Sequence, residues 1–525
     1  MSARICSIIT SLLTAIFMAP ATLGAAEVEF QQSATVHQPM LHREAVWRKV
    51  QEKANDTVVQ LFVQSSIFNW LQPFKSPGHK KTFGTGFFID AQGHIISNFH
   101  VVDQACGIKI QIPSFGKEQF DVEVVGVCPN RDLALLKLTD EAATKIRARL
   151  GSIPFLKLGD SDQVVRTQEI LAMGYPLSQE KLKSTQGIVS GRENVGGESY
   201  IQITAPLNRG NSGGPSFNPQ GAVIGINTAR MASAQNIGYI IPINDVKNVI
   251  NNLYQTKVLN WPTLGCEFNY GTTHMLQFLK STTPGGMYIS RVHYQTLLEQ
   301  AGVREGDMIR SINGHHLDLY GEVNVEWSED KVPVVALLNR FELGQNIEME
   351  IVRDGVMRTV QFTFDNVGPT AVRRYYLPYE SIDFEILGGM VVMPLTLNHL
   401  EKIDEPKSRA AKNLLKYEKR EKQDKPRLFI SYIFPTSQAQ DARSVEPGDI
   451  ITEVNGKTVF TLDEFRASLV KSVTDPALQG FVTFKTKDKK FMVLSLDRAL
   501  RDEERLSKSY VYKKTKLTKQ LMAQS

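Results

Sequence analysis

The residues best equipped for chemistry are Gly210-Asn211-Ser212-Gly213-Gly214-Pro215. A serine hydroxyl is a weak nucleophile at neutral pH and needs a base beside it. It also needs backbone N–H donors aimed at the oxyanion that develops on the attacked carbonyl. Glycines around Ser212 permit the tight turn that presents both. Gly210 and Ser212 are expected to point their N–H groups into one oxyanion hole, with Asn211 between them. Gly213 and Gly214 leave room for a substrate chain, and Pro215 bars a helix at that point. The string also fits G-x-S-x-G, which in α/β-hydrolases enters a helix and precedes the histidine. Here a β-like run, Ala222 to Asn227, comes next instead, and the better histidine lies upstream.

That histidine is His100. Thr85 to Asp90 reads as a strand, Ala91-Gln92-Gly93 as a turn and His94 to Ser97 as the returning strand. His100 then falls at the strand end, in Asn98-Phe99-His100-Val101-Val102. A third group, a carboxylate, must fix the imidazole tautomer and stabilise its charge. Asp132 is expected there, in Asn130-Arg131-Asp132-Leu133-Ala134-Leu135-Leu136, just before an apolar strand that can half-bury and orient it. Asp103 is nearer in sequence but falls in a polar turn, and Asp121 is a weaker rival. The order His, Asp, Ser is the trypsin-like one. The chemistry this implies is acyl transfer, with His100 taking the proton of Ser212 and Asp132 orienting His100.

The elements that must position these groups are short and β-rich. Between Thr57 and Ile243, runs such as Val58 to Phe62, Ile108 to Ile112, Val122 to Val127, Leu133 to Leu138, Ile170 to Met173 and Tyr200 to Ile203 are bounded by Gly, Pro, Asn and Asp. Many short strands at such spacing indicate a barrel or a pair of barrels. Ile243 to Leu253 reads as a helix. After Thr256 a unit repeats: Ala301-Gly302-Val303-Arg304-Glu305-Gly306-Asp307-Met308-Ile309 before Asn313-Gly314, and Ala442 to Ile450, with Gly448-Asp449, before Asn455-Gly456. A Gly-Asp turn, a strand and an Asn-Gly turn, seen twice, predict two related modules. A charged stretch from Asn398 to Asp424 reads as an exposed helix inserted in the second.

Gly84-Thr85-Gly86-Phe87, Asn98 to Val102, Arg131 to Leu136, Leu158-Gly159-Asp160-Ser161, Gly174-Tyr175-Pro176, Gly187-Ile188-Val189-Ser190, Asn208 to Pro215, Val223 to Asn227 and Asn236 to Pro242 come in an order that resembles the Deg/HtrA serine proteases. The Gly-Asp modules resemble the PDZ domains that follow the protease in that family, and the inserted second module resembles those of plant organellar Deg proteins. The resemblance implies a mainly β chain: a chymotrypsin-like double β-barrel followed by two PDZ-like α+β modules. The expected boundaries are a signal peptide over 1–26, the protease domain over 27–256, PDZ-like modules over 257–370 and 371–500, and a basic, loosely held tail over 501–525. By the same resemblance Ile224, Gly225, Ile226 and Asn227 would line the specificity pocket. Leu264-Gly265-Cys266-Glu267 and Leu387-Gly388-Gly389-Met390 would be carboxylate-binding loops. Implied partners are unfolded protein or peptide substrates, peptide C-termini at the PDZ-like modules and further copies of the chain, as a trimer or a multiple of trimers. One departure is Thr204, where relatives often carry Asp; it bears on how the activation loop is held. A chaperone or holdase, or a protease gated by its PDZ-like modules, is the alternative reading.

Composition supports an exported globular protein. The chain has 525 residues, 42% hydrophobic and 22% charged, with a net charge of +5. That is long enough for several domains, and the small charge excess, spread over mixed-sign stretches, gives no expectation of nucleic-acid binding. Arg4, the apolar Ile5 to Met18, Pro20 and the small residues Ala21 to Ala26 read as a signal peptide cleaved near Ala25 or Ala26, hence periplasmic export with no stable membrane anchor. Cys6 leaves with it; of the remaining cysteines, Cys106 and Cys128 could pair. No CxxC and no Cys/His cluster occurs at metal-ligand spacing, so neither metal nor cofactor is expected. The aromatic stretch with Phe68, Trp70, Phe74 and Phe83 reads either as core or as an intersubunit contact.

Overall fold

The computed structural model describes residues 37–195, 198–228, 236–280, 284–403 and 409–524. The expected signal peptide lies outside them. The chain divides into Met1–Ala45 and Val46–Ser525. The first unit is represented only by the opening turns of helix α1 (His37–Ala54), and every later element belongs to the second.

Two closed barrels carry the site. Strands β1 (Val58–Ile67), β2 (Gly78–Phe88), β3 (His94–Ser97), β4 (Ala105–Gln111), β5 (Gln119–Cys128) and β6 (Leu133–Leu138) close in the order β1-β2-β3-β6-β5-β4. Strands β7 (Glu169–Gly174), β8 (Lys183–Val195), β9 (Glu198–Ile203), β10 (Pro215–Phe217), β11 (Val223–Thr228) and β12 (Gly238–Pro242) close in the order β10-β11-β12-β9-β8-β7. Closure leaves no unpaired sheet edge. Apolar residues of these strands turn inward: Leu61, Val63, Ile95, Ile110 and Leu136 fill the first barrel, and Ile170, Ile201, Ile203, Ile224 and Ile240 the second. Short helix α2 (Phe99–Val102) follows β3, and α3 (Asp140–Leu150) follows β6. The Thr139 side chain caps α3 by accepting from Ala142 N, with Asp140 and Glu141 in the first turn. Helix α4 (Ile243–Leu253) buries Val246, Val249 and Leu253, three and four residues apart, in the core between the barrels.

The first C-terminal module contains β13 (Cys266–Tyr270), α5 (Thr273–Phe278), β14 (Met287–Val292), α6 (Leu297–Gln300), β15 (Met308–Ile312), β16 (His315–His316), β17 (Glu322–Val323), β18 (Val332–Pro333), α7 (Val334–Leu338), β19 (Gln345–Arg353) and β20 (Val356–Phe364). Its sheet runs β13-β14-β15-β19-β20. The second contains β21 (Glu385–Leu387), β22 (Met390–Pro394), α8 (Leu397–Leu400), α9 (Arg409–Leu414), β23 (Leu428–Ile433), α10 (Gln438–Ala442), β24 (Ile450–Val454), β25 (Lys457–Thr458), α11 (Leu462–Thr474), β26 (Phe481–Thr486), β27 (Phe491–Ser495), α12 (Leu496–Ser509) and α13 (Lys516–Gln524). Its sheet runs β21-β22-β23-β24-β26-β27.

The repeated motif has a physical basis. Asp307 and Asp449, both buried, accept from the backbone N–H three residues earlier (Arg304 and Glu446) at 2.8 Å. Each pairs with a cation from the neighbouring strand or the turn that ends it, Arg353 at 2.6 Å and Lys490 at 2.9 Å. Asn313 and Asn455 close the following turn by donating and accepting across to Glu348 and Thr483. The motif thus welds a turn to a neighbouring strand in each module.

Three expectations are corrected. Cys106 is exposed on β4, where its thiol donates to Gln64 O at 3.2 Å, while Cys128 is fully buried at the end of β5. The two are free thiols in opposite environments, and burial pushes that of Cys128 up to about 12. The charged stretch from Asn398 is no single exposed helix: short turns bury Ala410, Leu414 and Tyr417, and α9 packs against the Pro447-Gly448 turn. The C-terminal segment is no loose tail, because α13 buries Leu517 and Leu521 in the core of the second module. Lysines on its outer face had masked that apolar stripe.

Candidate active site

His100 stands on the single turn of α2. The strand before it is anchored by Ser97, whose hydroxyl donates to Thr85 O at 2.8 Å, and by the buried Asn98, whose amide donates to Asp132 O at 3.1 Å. Asp132 lies in a left-handed conformation (φ 51°) between a 3₁₀ turn and β6, and is 5% exposed. That conformation turns the carboxylate back over α2. Its Oδ1 accepts from His100 N at 2.9 Å, and His100 Nδ1 lies 3.0 Å from Oδ1 and 2.8 Å from Oδ2. An ionised carboxylate only accepts, so Nδ1 is the donor in this contact, and in a neutral ring Nε2 then carries the lone pair. Of the other two carboxylates, Asp121 pairs with Lys109 on the exposed barrel face, and Asp103 accepts from Gln104.

Ser212 is brought to the same place by Thr85 of the first barrel. Thr85 N donates to Ser212 O at 2.9 Å, Thr85 Oγ1 donates to Gly210 O at 2.7 Å, and Tyr175 N donates to Thr85 Oγ1 at 3.1 Å. A side chain on Gly213 (φ 86°) would collide with Thr85 O and Ser97 Oγ, and one on Gly210 (φ 101°) with Tyr175 O. These positions need glycine both for φ and for the close approach of the two barrels. The Gly213 position also abuts the backbone of Asn98, two residues before His100. Arg209 O accepts from Leu177 N at 2.7 Å. In a planar trans peptide the N–H of Gly210 therefore points the opposite way. Asn211 N donates to Asn208 O at 3.0 Å, so this N–H is committed within the loop. Thr204, the residue that departs from the family pattern, accepts from Ile188 N at 2.9 Å and ties β8 to the approach to the loop.

Arg131, which sequence reasoning passed over, anchors the other flank of Asp132. Its guanidinium is buried, lies 5.0 Å from the Trp261 ring centroid, and donates at 2.6 Å to Asn339 O at the end of α7 in the first module. Glu198 lies 3.8 Å from it, and burial pushes that carboxyl up to about 7 against the pull of Arg131. Arg340 pairs with Asp162 and Asp245, binding the first module to the second barrel and to α4.

The strand assigned to the specificity pocket serves otherwise. Ile224 and Ile226 are wholly buried in two separate cores, and a side chain on Gly225 would strike Ile240 and Ile241 O. Asn227 accepts from Gly213 N at 2.9 Å and donates to Met173 O at 3.0 Å, so β11 supports the Ser212 loop from behind. The loop-binding assignments divide. Gly265 (φ 74°) immediately precedes β13, a half-exposed strand at the end of its sheet. Leu387 to Met390 is instead a closed hairpin, with Leu387 opposite Met390, that lays β21 along β22. Gly388 O and Gly389 O accept from Ala439 N and Phe434 N at 3.0 and 2.8 Å.

Residues 84–226 match the trypsin-like peptidase domain, and residues 378–516 match the PDZ domain. A probable periplasmic serine endoprotease, DegP-like, of Marinomonas sp. (strain MWYL1) is 24% identical over 80% of each chain. The putative serine protease HhoB of Synechocystis sp. is 30% identical over 54% of this chain and 69% of its own. The periplasmic serine endoprotease DegP of Salmonella typhimurium is 32% identical over 53% of this chain and 55% of its own. Two barrels with a serine loop at their junction, followed by a PDZ domain, define a serine endopeptidase. The chain belongs to the Deg/HtrA family of trypsin-like serine proteases.

Proposed function

We propose that Ser212 is the nucleophile, His100 its general base and Asp132 the group that orients His100. The Gly210 and Ser212 N–H groups hold the oxyanion, and water then releases the acyl-enzyme. The observation that carries this reading is the double grip of the Asp132 carboxylate on the His100 backbone and ring, next to a serine loop stitched to the same strands. Ser212→Ala is expected to fold normally and to leave casein uncleaved. Full hydrolysis by that variant contradicts the reading.

The substrates are unfolded or misfolded proteins in the periplasm, a quality-control role supported by the relatives, which are named as periplasmic endoproteases, and by the PDZ domain. Residues 1–26 are removed on export, which N-terminal sequencing of the mature protein tests. No helix among the described residues is long and apolar enough to cross a membrane. The protease domain runs to about residue 256 and the first module to about 370, and the chain assembles as a trimer or a multiple of trimers, measurable by light scattering. Peptide C-termini are taken by the first module through strand addition to β13, which is a sheet edge with its residues half-exposed or exposed. The second module serves structure rather than capture, because β21 lies on β22.

A further inference from the structure

The segment Arg373 to Tyr379, between the two C-terminal modules, crosses the turn that carries His100. The Tyr376 ring meets Phe99 edge-on at 5.6 Å, and Tyr379 Oη donates to Val102 O at 2.9 Å. Phe99 and Val102 are the first and last residues of α2, so both ends of the turn are held from outside the barrels. Both tyrosines pack against the core of the first barrel. Burial raises the Tyr379 phenol above its ordinary range, so its hydroxyl remains a donor across the working pH.

The segment is itself held by the second module. Asn398 on α8 accepts from Tyr375 N at 2.8 Å and donates to Tyr375 O at 3.0 Å. Leu397 N donates to Arg373 O at 3.0 Å, and Arg374 pairs with Glu401. The second module thus holds the segment at Arg373 to Tyr375, and the segment holds α2 through Tyr376 and Tyr379. Tyr376, but not Tyr379, also lines a cleft of about 310 Å³ that contains His100.

We propose that Tyr376 and Tyr379 are positioning residues for His100, so that the second module completes the active site through the segment Arg373 to Tyr379. This rests on the roles proposed for His100 and Ser212. A helix of one turn has little stability of its own, and a misplaced base loses rate steeply. Holding both of its ends fixes where Nε2 stands relative to Ser212.

The test uses the full-length mature protein and hydrolysis of casein, with kcat normalised to the fraction of Ser212 that reacts with a fluorophosphonate. Tyr379→Phe is expected to lower kcat about 3- to 10-fold, the loss of one hydrogen bond, with KM unchanged. Tyr376→Ala is expected to lower kcat with KM unchanged, and Tyr376→Phe to restore kcat by keeping the ring that meets Phe99. Wild-type kcat in both Tyr379→Phe and Tyr376→Ala overturns the proposal. Should Tyr376→Ala unfold in a thermal scan, Tyr379→Phe alone decides. Absence of label on Ser212 in the wild type removes the underlying assignment, and the positioning role falls with it; a labelled Ser212 with unchanged kinetics removes the positioning role alone.

Discussion

The two C-terminal modules share a sequence motif and differ in what happens to one strand. In the first, β13 ends its sheet with Glu267, Asn269 and Tyr270 exposed. In the second, the counterpart β22 is buried from Met390 to Met393 and carries β21 on the edge that β13 leaves open. Strand β21 is fastened at every residue. Glu385 pairs with Arg466 on α11, Ile386 O accepts from Thr518 on α13 at 3.3 Å, and Leu387 enters the core. The aromatic stretch after β1 then closes over the second module: Phe74 packs on Phe434 with ring centroids 4.5 Å apart, and Trp70 on His399 at 5.3 Å. This stretch is intramolecular core. The same motif thus builds an open edge in one place and a brace in another, and the difference comes from residues outside the motif.

The contrast can be broken at the hairpin. Gly389 has φ 85°, and a side chain there would overlap Ser437. Gly389→Ala combines backbone strain with overpacking and is expected to destabilise by about 4 kcal/mol, read as a drop in the first thermal transition. Phe74→Ala empties a buried site shared by Phe434, Tyr432 and Tyr512. Its expected cost is about 3 kcal/mol, measured by urea denaturation, with proteolytic cutting gained in the second module and not in the first.

A pH experiment sharpens the comparison. Glu503 on α12 is wholly buried and accepts from Tyr512 Oη at 2.8 Å, and burial pushes its carboxyl up to about 7. Between its ordinary value and that one, the folded chain holds a proton that the unfolded chain has released. Stability therefore falls as pH rises from about 4.5 to about 7. Glu503→Gln keeps the acceptor without the charge and is expected to flatten this fall, by about 1–3 kcal/mol at pH 7. A pH-dependence unchanged by the substitution counts against the buried charge. The smallest effect concerns ligand: a peptide with an apolar C-terminus is expected to bind once per chain by calorimetry, and Phe268→Pro on β13 to abolish it. Two sites per chain contradict the closure of the second module.

Much of the proposed site was legible because its chemistry restricts residue type. Ser212, His100 and Asp132 could be placed from glycine spacing and strand boundaries, and the structure brings His100 and Asp132 into direct contact beside the serine loop. The barrels followed from short apolar runs, and the modules from the Gly-Asp and Asn-Gly repeats. What escaped depends on distant partners. Thr85 is an ordinary strand residue until it meets Gly210 and Tyr175. Arg131 and Tyr379 act through a carbonyl of the first module and a carbonyl of α2, which no local pattern announces. Ile224 and Ile226 were assigned by analogy to a pocket, although strict burial on both faces of β11 places them in cores. The closing strand β21 is three residues long, too short for a periodicity to register.

The most direct measurement is fluorophosphonate labelling of the mature protein, with the modified peptide mapped by mass spectrometry, in wild type and in His100→Ala. The account predicts a label on Ser212 alone, lost when the imidazole is removed. A label on any other serine, or undiminished labelling of Ser212 without His100, contradicts it.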